Sequence, residues 1–181
     1  KQFKLKNTPK IIGGVTKTCG LVAENLYGQI IDNVKIVSSP RIAEMEKLLE
    51  NVFRIVNIAL VNEMAMLCKK MKIDIWEVVD AAATKPYGFM PFYPGPGVGG
   101  HCVPLDPIYL AWKAKQYGFT AECIELAARI NEEMPDYVIG MARDALRKKG
   151  KDLIRAKILV LGIAYKKDIN DWRESPAIRI I

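Results

Sequence analysis

The stretch SPRIAEMEKLLENVFRIVNIALVNEMAMLCKKM, residues 39–71, decides the architecture. Ser39 followed by Pro40 opens a helix, a hydroxyl cap ahead of a proline whose missing N–H costs nothing in the first turn. At about 1.5 Å per residue the helix to Met71 reaches about 48 Å. Apolar side chains occupy most of its girth, which predicts burial on several sides, as a domain's central helix or at a subunit contact. Lys47 and Asn51 interrupt that girth four residues apart, and so on one face. An inward Lys/Asn pair in so apolar a helix is costly unless it serves something; a polar stripe toward solvent is the bland alternative.

Shorter elements flank this helix. KIIGGVT (10–16) reads as a short strand running into a turn, with Thr16 capping a helix over 17–29, and NVKIVSS (33–39) as a second short strand. Asp74, with Glu77 three residues on, starts a helix over 75–83. Asp106-Pro107 opens another that ends at Gly118. Residues 121–149 make a long helical stretch, kinked at Pro135 and stopped by Gly150. KILVLG (157–162) has the continuous apolar character of a strand in a buried parallel sheet. ESPAIRII (174–181) then begins a helix that ends with the chain, and a parallel strand with half a crossover helix reads as truncated. The fold class is mainly α with short β pieces.

Composition narrows the function classes. Half of the 181 residues are apolar, enough for one core or one core and part of a second. No apolar run reads as the roughly 20 residues that span a bilayer, and KQFKLKNTPK at the start has no apolar segment of a secretory signal. The four cysteines, at 19, 68, 102 and 123, form no CxxC pair and lie in no metal-ligand spacing with the single histidine. Three of them sit in apolar, helix-like contexts that predict buried free thiols, and a reducing, cytoplasmic setting follows. The net charge is +7, yet the basic residues are scattered or sit at helix ends, as Arg147, Lys148 and Lys149 do. No RNP-type, zinc-finger or helix-turn-helix pattern supports nucleic acid. A small phosphorylated ligand fits the surplus better.

YPGPGVGGHCVPLDP (93–107) suits neither helix nor strand, since prolines remove donors and glycines loosen the backbone. Glycines 95, 97 and 100 match GxGxxG formally. No strand precedes them and no helix opens at the last, so the dinucleotide reading is rejected. A glycine-rich loop still lets backbone N–H groups approach an anion or a sugar closely. Cys102 follows directly, in a polar loop near a helix start, where a thiol is a candidate nucleophile rather than a buried structural cysteine. His101 is its neighbour, but adjacent residues of an extended chain point to opposite sides, so His101 reads as a packing or backbone-bonding residue. Asp106, ahead of Pro107, reads as a helix cap that can also face Cys102.

GPGVGGHCVPLDPIYL (95–110) resembles the active-site segment of the nucleotide-sugar 6-dehydrogenases, the family of UDP-glucose and GDP-mannose dehydrogenases. RIAEMEKLLENVFRIVNIALVNEMA (41–65) is similar to their central helix, and GIAYKKDINDWRESPA (162–177) to the first strand, loop and helix of their C-terminal domain. AAATKPYGFMPFYPGPGVGGHC (81–102) resembles most the branch acting on UDP-N-acetylhexosamines, the UDP-N-acetylglucosamine 6-dehydrogenases in particular. Leu105 departs from the lysine usual before the aspartate in the UDP-glucose branch. That favours N-acetylated sugars and argues against a lysine contact to cofactor there.

The resemblance implies a three-domain α/β dehydrogenase. Residues 1–36 would end an N-terminal NAD-binding domain, 37–150 form a helical middle domain through which a homodimer assembles, and 151–181 begin a C-terminal, Rossmann-like nucleotide-sugar-binding domain. The implied reaction oxidises the sugar's C6 alcohol to a carboxylate with two NAD and one water, in polysaccharide precursor synthesis. It implies Cys102 as the nucleophile, Lys47 and Asn51 as stabilisers of negative charge, and Asp106 as the group that positions or activates water. Phe92, Tyr93 and Gly99 would hold the sugar and phosphate, Lys166 would reach the substrate and Arg173 the NAD. The chain alone is expected to be inactive. The alternatives are a dimerisation or nucleotide-sugar-binding module without catalysis, or the same chemistry on UDP-N-acetylmannosamine or UDP-glucose.

Overall fold

The computed structural model describes residues 3–181 and divides into two compact units, residues 1–50 and 51–181. In the first, strand β1 (Lys10–Gly13), helix α1 (Lys17–Gly28) and strand β2 (Val34–Val37) form a βαβ unit. The strands pair in parallel, with Ile11 opposite Lys35 and Ile12 opposite Ile36. Thr16 caps α1, its hydroxyl accepting from the Cys19 N–H at 3.1 Å. Helix α2 (Pro40–Met71) begins where Ser39-Pro40 predicts and continues into the second unit.

The second unit is helical: the remainder of α2, then α3 (Ile75–Ala83), α4 (Cys102–Lys115), α5 (Glu122–Arg147), one 3-10 turn at Leu153–Arg155 and α6 (Pro176–Ile180). Asp74 caps α3 by accepting from the Trp76 N–H at 2.9 Å, as its spacing to Glu77 suggests. α5 buries Ile124, Ala127, Asn131, Met134 and Pro135, one face at helical spacing. Ala111 of α4 packs with Ala121 and Ile124, and Val52 and Leu110 complete that cluster. On α2 the buried positions Asn51, Ile55, Ala59 and Asn62 form a single stripe, so two of the four residues it buries there are amides. By length and composition α2 does contain a stretch apolar enough to cross a membrane, against the sequence reading. A third of that stretch is buried, with Asn51 and Asn62 inside the protein, while Leu49, Phe53 and Leu60 are exposed, so the burial on several sides that its girth predicts is not seen.

Three further expectations are corrected. KILVLG (157–162) forms no strand, and Leu159 and Leu161 are over 80 % exposed. A strand needs a neighbour for its N–H and C=O groups, and no third strand exists among the described residues. Helix α4 opens at Cys102 rather than at Asp106-Pro107, so Asp106 is not its cap. A proline at the third position of a helix loses no bond, and Pro104 permits the earlier start. Finally, Cys68 is the buried cysteine; Cys19 and Cys123 are exposed, because they lie in the first turns of α1 and α5, off the buried faces. α5 itself runs unbroken through Pro135.

Candidate active site

Cys102 is the first residue of α4 and its side chain is exposed. The unpaired N–H groups of a helix N-terminus carry partial positive charge, which favours an anion beside them. One turn on, Asp106 shares the Cys102 face of α4. Asp106 Oδ2 accepts from Asn51 Nδ2 at 2.7 Å, so α4 and α2 are joined at this point. Asn51 is 2 % exposed, and its Oδ1 accepts from Arg54 Nη1 at 2.9 Å. The arginine thus fixes which end of the amide faces the aspartate. Sequence reading missed Arg54, although a charge three residues after Asn51 on an apolar helix is a usable signal.

Lys47 lies one helical turn before Asn51 on α2. Its Nζ is 3.0 Å from Glu50 Oε2, and both side chains are largely exposed. The structure therefore brings Asn51 and Asp106 together and leaves Lys47 in a surface ion pair.

The loop between α3 and α4 is anchored along its length. Phe92 meets Phe53 of α2 edge-on, with ring centroids 5.8 Å apart. Tyr93 stacks on Trp76 at 5.5 Å and donates its hydroxyl proton to Asp80 at 2.7 Å. That bond to a carboxylate holds the phenol above its usual range. Gly99 is wedged so tightly that a Cβ would lie 2.7 Å from Tyr165 Cβ and 2.8 Å from the Glu174 carbonyl. The need for glycine there is close packing against residues 165–176. His101 meets Tyr165 edge-on at 6.4 Å, the packing role its position suggests.

Lys166 follows Tyr165 and is exposed. Arg173 is exposed and held in a bidentate pair with Asp171, at 2.9 and 2.8 Å. The guanidinium draws the Asp171 carboxyl down to about 2, and the carboxylate raises Arg173 in return. Away from this region, the Thr16 hydroxyl donates to Cys19 Sγ at 3.1 Å and holds that thiol below its usual range.

Residues 41–133, more than half of the chain, match the family model for the central domain of UDP-glucose/GDP-mannose dehydrogenases. A UDP-N-acetyl-D-mannosamine dehydrogenase of Campylobacter jejuni is 39 % identical over 98 % of the chain, which spans 42 % of that protein. An NDP-N-acetyl-D-galactosaminuronic acid dehydrogenase of Ralstonia solanacearum is 38 % identical over 98 % of the chain and 40 % of its own length. The solved structure of a UDP-D-ManNAc dehydrogenase from Pyrococcus horikoshii superposes with a TM-score of 0.89 at 40 % identity, covering 97 % of this chain and 41 % of that one. The chain thus spans about two fifths of the length of these relatives. Mostly helical, and matched from the start of α2 into α5, it belongs to the UDP-glucose/GDP-mannose dehydrogenase family.

Proposed function

We propose that the native polypeptide carrying this chain oxidises C6 of a UDP-N-acetylhexosamine from alcohol to carboxylate, with Cys102 as covalent nucleophile. The observation that carries the reading is the 2.7 Å Asn51–Asp106 bond, one helical turn from a thiol exposed at the start of α4. NAD, when bound, accepts a hydride from C6 in each of two oxidations. The glycines at 97, 99 and 100 pack against Asn131, Tyr165 and Glu174. Arg173, exposed and fixed by Asp171, is the group of this chain suited to the cofactor's phosphates.

Between the oxidations the Cys102 thiolate adds to the aldehyde carbon, giving a thiohemiacetal that cannot diffuse away. Loss of the second hydride to NAD and of the hydroxyl proton to solvent leaves a thioester; water attacks its carbonyl and the carbon–sulfur bond breaks, giving the acid and the free thiol. Asn51 has one N–H committed to Asp106 and a second for the oxyanion, in an orientation set by Arg54. Asp106 accepts from Asn51 through one oxygen, and its other oxygen takes a proton from the attacking water. Lys47 adds positive charge from the same helix, on leaving Glu50.

The names of the relatives favour UDP-N-acetylmannosamine, whereas the 81–102 segment alone favours UDP-N-acetylglucosamine. NADH formation by the native polypeptide with UDP-N-acetylmannosamine, UDP-N-acetylglucosamine and UDP-glucose separates them. Two NADH per sugar acid from an N-acetylated substrate is expected. One NADH per sugar, or turnover of UDP-glucose alone, would refute the reading.

A further inference from the structure

Asn62 and Asn131 form a buried relay outside the groups given chemical roles above. Asn62 is fully buried and Asn131 is 4 % exposed. Asn131 Nδ2 donates to the Ile55 carbonyl at 3.0 Å, which fixes the direction of its amide. Its Oδ1 must then face Asn62, and accepts from Asn62 Nδ2 at 2.9 Å. Asn62 Oδ1 in turn accepts from the Gly95 N–H at 2.9 Å. Pro94 and Pro96 have no N–H, so Gly95 carries the one backbone donor of that tripeptide. The relay begins on a carbonyl of α2, crosses α5 and ends on the loop that leads into Cys102.

A second contact reaches the same loop from α5. Pro135 has no N–H to return to the Asn131 carbonyl, four residues back. Gly97 packs onto that carbonyl: a Cβ at Gly97 would stand 2.8 Å from the oxygen. Asn131 therefore meets the loop through both its side-chain chain of bonds and its backbone. Asn62 also lies on the buried stripe of α2 that holds Asn51, three turns further along.

We infer that Asn62, with Asn131, is a positioning residue: the Ile55–Asn131–Asn62–Gly95 relay sets where the loop delivers Cys102 relative to Asn51 and Asp106. This rests on the reading of Cys102 as nucleophile. The test uses the native polypeptide with Asn62→Leu, which keeps the branched shape at a larger volume and loses both bonds, and Asn62→Asp, which keeps an acceptor for Gly95 but, when ionised, has no donor for Asn131. Three quantities are measured: exchange of the Gly95 amide by NMR, the rate of Cys102 alkylation by iodoacetamide, and kcat against KM.

In Asn62→Leu, Gly95 exchange should rise at least tenfold, Cys102 alkylation should change at least threefold, and kcat should fall about tenfold with the KM for NAD within twofold. In Asn62→Asp, which retains the acceptor for the Gly95 N–H, Gly95 exchange should lie between that of Asn62→Leu and the wild type. Exchange and alkylation within twofold of wild type in a folded variant overturn the inference. If Asn62→Leu does not fold, the same readings on Asn62→Asp decide. A wild type that oxidises no UDP-sugar sinks the functional reading instead, while exchange and alkylation still judge the relay.

Discussion

Asn51 of α2 and Asp106 of α4, 55 residues apart in sequence, share a 2.7 Å side-chain hydrogen bond, and Arg54 holds the far side of the same amide at 2.9 Å. A buried amide between a carboxylate and a guanidinium has its donor and acceptor ends fixed in opposite directions. In Asn51→Ala both partners lose a bond, which should cost about 1–3 kcal/mol of stability. Asn51→Asp should be worse for turnover, because it sets two carboxylates face to face. Denaturant titration and steady-state kinetics on both variants check this; equal, unimpaired turnover would remove Asn51 from the site.

Lys47 separates a chemical from a surface role. An exposed pair such as Lys47–Glu50 contributes little, so Lys47→Ala should alter stability by at most a few tenths of a kcal/mol. If its charge acts on an oxyanion, kcat should nonetheless fall on the order of 100-fold, with KM little changed. Turnover within a factor of two of wild type would leave Lys47 as a surface residue.

Gly97 has φ of +119° and stands against the Asn131 carbonyl. A side chain there is strained by conformation and by contact, so Gly97→Ala should destabilise by about 1–3 kcal/mol. Gly118→Ala, also at positive φ but with open space around it, should cost less. Thermal melts of the two variants make the comparison, and the reverse order would contradict the packing described.

The Asp171–Arg173 pair sets a pH dependence. Its carboxyl titrates at about 2 against an ordinary 3.8, so the contribution is fully present above about 4 and is lost as pH falls toward 2. Carbon-detected NMR of the Asp171 carboxyl should show a midpoint near 2, and Arg173→Ala should return it toward 3.8. A wild-type midpoint near 4 would mean that the pair does not form in solution.

Local signals were legible where one residue decides the outcome. Thr16, Ser39-Pro40, Asp74, Gly118 and Gly150 mark helix boundaries because caps and turn glycines act within a few residues. Asn51 was legible as a polar group in an apolar helix, and Cys102 as a thiol beside a glycine–proline loop. What the sequence hid depends on partners distant along the chain. KILVLG has strand composition but no strand beside it here, and composition cannot supply one. Asp106 before Pro107 reads as a cap, yet the bond to Asn51 takes its carboxylate inward. The Asn62–Asn131 pair spans 69 residues, and neither amide announces the other.

In the proposed reaction Cys102 carries the sugar between the two oxidations. Acid quenching of the native polypeptide during turnover of a UDP-N-acetylhexosamine with NAD, followed by peptide mass spectrometry, tests it most directly. A sugar acyl adduct on the peptide containing Cys102, absent in Cys102→Ser and unaffected by replacing Cys19, Cys68 or Cys123, is the expected result. Undiminished acid formation by Cys102→Ser, or an adduct on another cysteine, would contradict it.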